Sequence, residues 1–122
     1  MNVLVVDDEP DFLATCVRLL ALLGHQATTA RDALEAIARI ETGGVDLIIT
    51  DMQMGPLGGQ AVIQRAERAP PPVPVIVITG HQSPDVVRIA RRAGATLLAK
   101  PLMPTELRAA IDRARPQAPP AF

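Results

Sequence analysis

Three aspartates, a threonine and a lysine stand at the ends of short apolar runs in this chain. Val3-Leu4-Val5-Val6 leads into Asp7 and Asp8, Leu47-Ile48-Ile49-Thr50 into Asp51, a third run closes on Thr79, and a fourth stops just short of Lys100. If these runs are neighbouring parallel strands, their C-terminal ends gather three carboxylates, a hydroxyl and an ammonium around one crevice, where open α/β sheets bind ligands. Magnesium takes oxygen ligands, typically one or two carboxylates completed by waters, a carbonyl and phosphate oxygens. Asp8 and Asp51 can supply the carboxylates. Crowded carboxylates repel one another unless a cation or a lysine lies close, and Lys100 is placed to relieve that repulsion. A carboxylate is also a nucleophile toward phosphorus, with metal and lysine neutralising the charge that develops on the transferring group. Thr79 can then donate its hydroxyl to a phosphoryl oxygen.

Periodicity supplies the elements that must position these groups. Five apolar runs, at about 2–6, 26–29, 46–50, 74–79 and 96–99, alternate with segments of helical spacing. Strict strand–helix alternation predicts a parallel sheet covered on both faces. The first helix opens at Pro10 and ends before Gly24, with Leu13, Cys16, Val17 and Leu20 as its core stripe and Leu19, Leu22 and Leu23 as further apolar surface. A second helix runs from about Asp32 to Glu41 and stops at Gly43-Gly44. A third, from about Gly59 to Arg68, is broken by Pro70-Pro71-Pro72. Ser83 and Pro84 read as N-cap and first turn of a fourth helix ending at Gly94, and Pro104 opens a fifth that must stop before Pro116. Residues 1–115 are expected to form one domain, and 116–122 a Pro-rich tail that serves equally as terminus or linker.

Composition narrows the class. At 122 residues there is room for one three-layer core. A hydrophobic content of 48% and a formal charge of −1 fit a compact chain without electrostatic pull toward nucleic acid or membrane. No apolar stretch approaches the roughly 20 residues of a bilayer span, and the N-terminus carries no basic segment, so the cytoplasm is the expected address. The single Cys16, at core spacing in the first helix, reads as a buried free thiol.

Val5-Val6-Asp7-Asp8-Glu9-Pro10, Thr50-Asp51-Met52-Gln53-Met54, Ile78-Thr79-Gly80 and Lys100-Pro101, in that order at successive strand ends, resemble the response-regulator receiver domain of two-component signalling. Alone, the acidic pair reads as a turn and cap before Pro10, Thr79-Gly80 as a strand-ending turn, and Lys100-Pro101 as a lead into the fifth helix. The resemblance covers residues 2 to about 115. It implies a flavodoxin-like fold with five parallel strands in order 2-1-3-4-5 and five helices. It also implies Asp51 as phosphoacceptor, Asp7 and Asp8 with Asp51 and the Gln53 carbonyl around Mg²⁺, Thr79 as the switch hydroxyl and Lys100 as the phosphoryl-contacting lysine. The Lys100-Pro101 bond is commonly cis in that family. The implied function is a phosphoacceptor that takes a phosphoryl group from a histidine kinase or a histidine phosphotransfer protein and hydrolyses it, catalysing only its own modification. A homodimer through the fourth-helix and fifth-strand face is a candidate arrangement. The alternatives are a pseudo-receiver acting as a phosphorylation-independent interaction module and a small aspartyl-phosphate phosphatase, which would want a second acid where Gln53 stands.

The chain departs from that pattern in several places. Met54 is followed by Gly55, with Pro56 one place later, and Gly55-Pro56-Leu57-Gly58-Gly59 lacks the ending of a P-loop and reads as the loop after Asp51. Gly80 replaces the usual Ala beside the switch hydroxyl. Leu97 stands where receivers carry Tyr or Phe, and Phe12 and Phe122 are the only Phe, Tyr or Trp residues in the sequence. His25 and His81 read as surface or loop histidines, His81 lying near the site.

Overall fold

The computed structural model describes residues 1–54, 58–81 and 83–114. The Gly55-Pro56-Leu57 stretch of the loop after Asp51 and the expected tail from 116 onward lie outside these residues. Within them β1 (Asn2–Val6), α1 (Pro10–Leu22), β2 (Gln26–Ala30), α2 (Ala33–Thr42) and β3 (Leu47–Asp51) are followed by α3 (Gly58–Glu67), β4 (Val75–Thr79), α4 (Pro84–Arg92), β5 (Thr96–Ala99) and α5 (Pro104–Ala114). The strands form one parallel sheet in order β2-β1-β3-β4-β5, the expected flavodoxin-like arrangement.

The strands owe their form to β-branched runs whose alternate side chains find different partners on the two faces. Val3, Val5, Leu47, Ile49, Ile76, Ile78 and Leu98 pack with α1 and α5, through Leu13, Cys16 and Leu20 on the first helix and Leu107, Ala110 and Ile111 on the last. Leu4, Val6 and Ile48 face the other way, onto α2 and α3. Val77 joins Ile63, Val86 and Ala90 between α3 and α4, with Leu97 packed at the margin of that cluster. Because β1, β3 and β4 are buried on both faces, they read as continuous apolar runs.

Local signals fix the helix ends. The Asp32 carboxylate accepts from the Glu35 amide at 2.8 Å and the Ser83 hydroxyl oxygen from the Val86 amide at 3.2 Å, so both satisfy an orphan N–H of the first turn. Gly43 ends α2 at φ 89°, a conformation that costs glycine little. Two expectations need correction. Val17 is 36% exposed and lies outside the buried stripe of α1, which is Leu13, Cys16 and Leu20, because the helix turns only a narrow face to the sheet. The third helix begins at Gly58, so Gly58 and Gly59 form its first turn rather than loop.

Candidate functional site

Register carries the candidate residues to one edge. Val6 pairs with Thr50, Asp51 with Ile78, and Thr79 with Ala99, so Asp7, Asp51, Thr79 and Lys100 leave β1, β3, β4 and β5 at the same C-terminal end. The Lys100 amide donates to the Thr79 carbonyl at 2.9 Å, which ties the start of the β5–α5 connection to the end of β4. The Lys100–Pro101 peptide is cis, as is Pro70–Pro71.

At the centre stands the Lys100 ammonium. Its Nζ lies 2.8 Å from Asp7 Oδ2, 3.1 Å from Glu9 Oε1 and 3.4 Å from Asp51 Oδ2. The ring of Phe12 lies 4.5 Å from the same nitrogen, centroid to Nζ, within cation–π range. Asp7 is fully buried, its Oδ1 accepting from the Glu9 amide at 2.9 Å. Asp7 Oδ2 is close enough to Nζ to form an ion pair, but it makes no hydrogen bond of good geometry and has no other partner. Asp51 is 6% exposed, and its Oδ1 accepts from the Gln53 amide at 3.2 Å. Asp8 and Gln53 are exposed at the rim. Thr79 is buried and hydrogen-bonded within its own loop: its hydroxyl donates to the His81 carbonyl at 2.7 Å and accepts from the His81 amide at 3.1 Å.

Charge and burial pull against each other here. Burial pushes the Asp51 carboxyl above its ordinary value of 3.8, and the charge of Asp7 adds to that, while the Gln53 amide and Lys100 oppose it. For Lys100 burial acts to lower the pKa, but its partners Asp7, Glu9 and Asp51 outweigh burial and the net direction is up. Cys16 beneath them is fully buried, and burial, with Asp7 adding, pushes its thiol up to about 12, as expected of an inert core cysteine.

Oxygens of Asp7, Asp8 and Asp51 lie within 4.8 Å of one another. An all-oxygen donor set that includes a buried carboxylate oxygen with no hydrogen bond fits a small hard cation such as Mg²⁺, which would satisfy that oxygen.

A family model described as the response regulator receiver domain matches residues 3–112. The chain belongs to the response-regulator receiver family. It is 32% identical over 121 residues to the transcriptional regulatory protein GlrR of Escherichia coli (strain K12), covering 98% of this chain and 27% of that protein. Over 117 residues it is 38% identical to a gliding motility regulatory protein of Myxococcus xanthus, 93% of this chain and 15% of that one. The receiver thus spans a minor part of either relative. Among solved structures, a CheY-like receiver domain protein from Methanospirillum hungatei JF-1 superposes with a TM-score of 0.84 at 26% identity, over 92% of this chain and 90% of that one. A receiver domain protein from Clostridium thermocellum gives 0.82 at 33% identity, over 93% and 92%.

This receiver therefore brings Asp7, Asp8, Asp51, Thr79 and Lys100 to one sheet edge, as their sequence positions predict. Two further residues at the site, Glu9 and Phe12, carry no sequence signal for it. Glu9 stands in the quoted acidic motif, but its pairing spans 91 residues to Lys100. Phe12 stands in sequence only as one of two phenylalanines, remote from Lys100. The glycine at position 80 opens little space: a Cβ there would meet Lys100 Cδ at 4.0 Å, an ordinary contact. His81 is exposed at the rim, and half-buried His25 has Nδ1 3.1 Å from the Met1 amino group, away from the carboxylates.

Proposed function

We propose that this receiver accepts a phosphoryl group from a phosphohistidine onto Asp51 and later loses it to water. The observation that carries the reading is the meeting of Asp51 with a lysine ammonium at 3.4 Å and with two further carboxylates that fit a metal. An Asp51 oxygen attacks phosphorus in line, the N–P bond of the donor breaks, and the imidazole leaves with a proton. Lys100 supports the charge on the equatorial oxygens, and Thr79 turns its hydroxyl to one of them. Asp7, Asp8, Asp51 and the Gln53 carbonyl would hold Mg²⁺, which supplies charge neutralisation at the phosphoryl oxygens when bound. Water attacking the acyl phosphate returns the carboxylate and inorganic phosphate, so the domain catalyses its own reset and acts on no other substrate.

The donor in this reading is a histidine kinase or a histidine phosphotransfer protein in the cytoplasm. Among the described residues no helix is long and apolar enough to cross a membrane. The exposed Leu22, at 83%, with half-buried Phe12 and Leu19, gives α1 an apolar border on which helices of such a donor can pack. Arg88, Arg91 and Arg92 make the exposed side of α4 basic, a candidate face for an acidic partner or a second copy. The pseudo-receiver alternative has no use for an intact acidic pair, phosphoacceptor, hydroxyl and lysine at one edge.

The test is direct. Incubation with acetyl phosphate and Mg²⁺ should give a single acid-stable, base-labile adduct at Asp51. Labelling that persists in Asp51→Asn would overturn the assignment.

A further inference from the structure

Lys100 has three N–H donors and three carboxylate partners, and the partners are not equivalent. Asp7 is fully buried and Asp51 nearly so, whereas the Glu9 side chain is 66% exposed. Glu9 is also the N-cap residue of α1, yet its side chain makes no capping bond; it reaches over to Lys100 instead. The Phe12 ring, one turn into the same helix, lies against the same ammonium. Glu9 and Phe12 together thus form a berth for the ammonium at the start of α1.

We propose that Glu9 is a positioning residue that holds the Lys100 ammonium in the unphosphorylated protein and releases it when a phosphoryl group arrives. This rests on the phosphoacceptor reading of Asp51. A phosphoryl group on Asp51 adds charged oxygens that draw the ammonium toward them, and one of its present contacts must lengthen. Glu9 is the contact that gives way, because its exposed carboxylate regains water on separation, whereas Asp7 and Asp51 are buried beside the ammonium. Glu9 therefore competes with the phosphoryl group for Lys100 and weakens the phosphorylated state.

The decisive experiment measures beryllofluoride affinity at saturating Mg²⁺ for the wild type, Glu9→Gln and Glu9→Asp. Glu9→Gln removes the charge. Glu9→Asp keeps the charge but is one methylene shorter, and aspartate at an N-cap turns to the helix amides. Both variants should bind beryllofluoride roughly two- to five-fold more tightly than the wild type, the range that loss of an exposed ion pair spans. Unchanged melting temperatures would show that the effect is not one of folding. If Glu9→Asp behaves as the wild type while Glu9→Gln tightens, Glu9 acts only as charge through space and the positioning role is wrong. If neither differs from a wild type that binds, Glu9 is irrelevant to the site and the receiver chemistry stands. A wild type that binds no beryllofluoride sinks both readings.

Discussion

Thr79 donates its hydroxyl to the carbonyl of His81 at 2.7 Å and takes the His81 amide in return at 3.1 Å, so this hydroxyl is already committed within its own loop. To donate to a phosphoryl oxygen on Asp51 it must give up the bond to the His81 carbonyl, because a hydroxyl carries a single proton. In receivers with an aromatic residue on the fifth strand, the movement is passed on as a ring rotates into the vacated space. Here Leu97 occupies that position, packed at the margin of the Ile63, Val77, Val86 and Ala90 cluster, without a ring or polar edge. Beryllofluoride should therefore shift the His81 amide strongly, and shifts over residues 84–99 should stay smaller than those beside Asp51, Thr79 and Lys100. Amide spectra with and without the ligand check this. Shifts over 84–99 as wide as in an aromatic-switch receiver would contradict it, and Thr79→Ala should abolish the His81 response.

Burial raises the Asp51 carboxyl above 3.8, so the folded protein holds this proton to higher pH than the unfolded chain does. Between those two values the native state binds more protons, and stability from this group falls as pH rises. At neutral pH the ionised Asp51 is a net cost to the metal-free fold. Asp51→Asn should melt a few degrees above the wild type at pH 7 in a chelator, with the gap closing as pH falls toward 3.8. A variant that melts lower at pH 7 would show that the Lys100 contact outweighs burial.

Asp8 is exposed, and in the proposed reading its role is confined to the cation. Asp8→Ala should weaken Mg²⁺ binding at least roughly ten-fold, the loss that even outer partners of a metal ligand produce, and slow phosphorylation by acetyl phosphate. Without magnesium its melting temperature should equal or slightly exceed that of the wild type, because a like charge has gone. A lower melt together with normal Mg²⁺ binding would remove Asp8 from the site.

Two glycines beside the site should respond in opposite ways. A Cβ on Gly59 would fall 2.2 Å from the Asp51 carbonyl oxygen and 2.9 Å from Met52 Cα, both backbone atoms that cannot step aside. Gly59→Ala should cost about 1–3 kcal/mol or more, as overpacked sites do, and disturb Asp51. At Gly80 the backbone is not left-handed and the nearest atom to a Cβ is 4.0 Å away, so Gly80→Ala should stabilise by about 0.4–1 kcal/mol through the unfolded chain. Denaturant titrations of the two variants check both signs.

The strands, the caps at Asp32 and Ser83, and the edge to which Asp7, Asp51, Thr79 and Lys100 come were legible because each depends on a few consecutive residues. A β-branched run, a proline in a first turn or a carboxylate before one is a local property, and parallel alternation then leaves few ways to order the sheet. Packing decided the rest. Periodicity grouped Val17 with Leu13, Cys16 and Leu20, but how far α1 rolls on the sheet left Val17 outside. Asp7 and Asp8 are neighbours of one type, yet one is sealed beneath Lys100 and the other faces solvent, since successive residues leaving a strand point to opposite sides. Glu9 and Phe12 meet Lys100 only because α1 and the end of β5 are brought to the same edge, Glu9 from 91 residues away. No local pattern encodes a contact of that span, because its partners are chosen by the three-dimensional packing of the whole sheet and its helices.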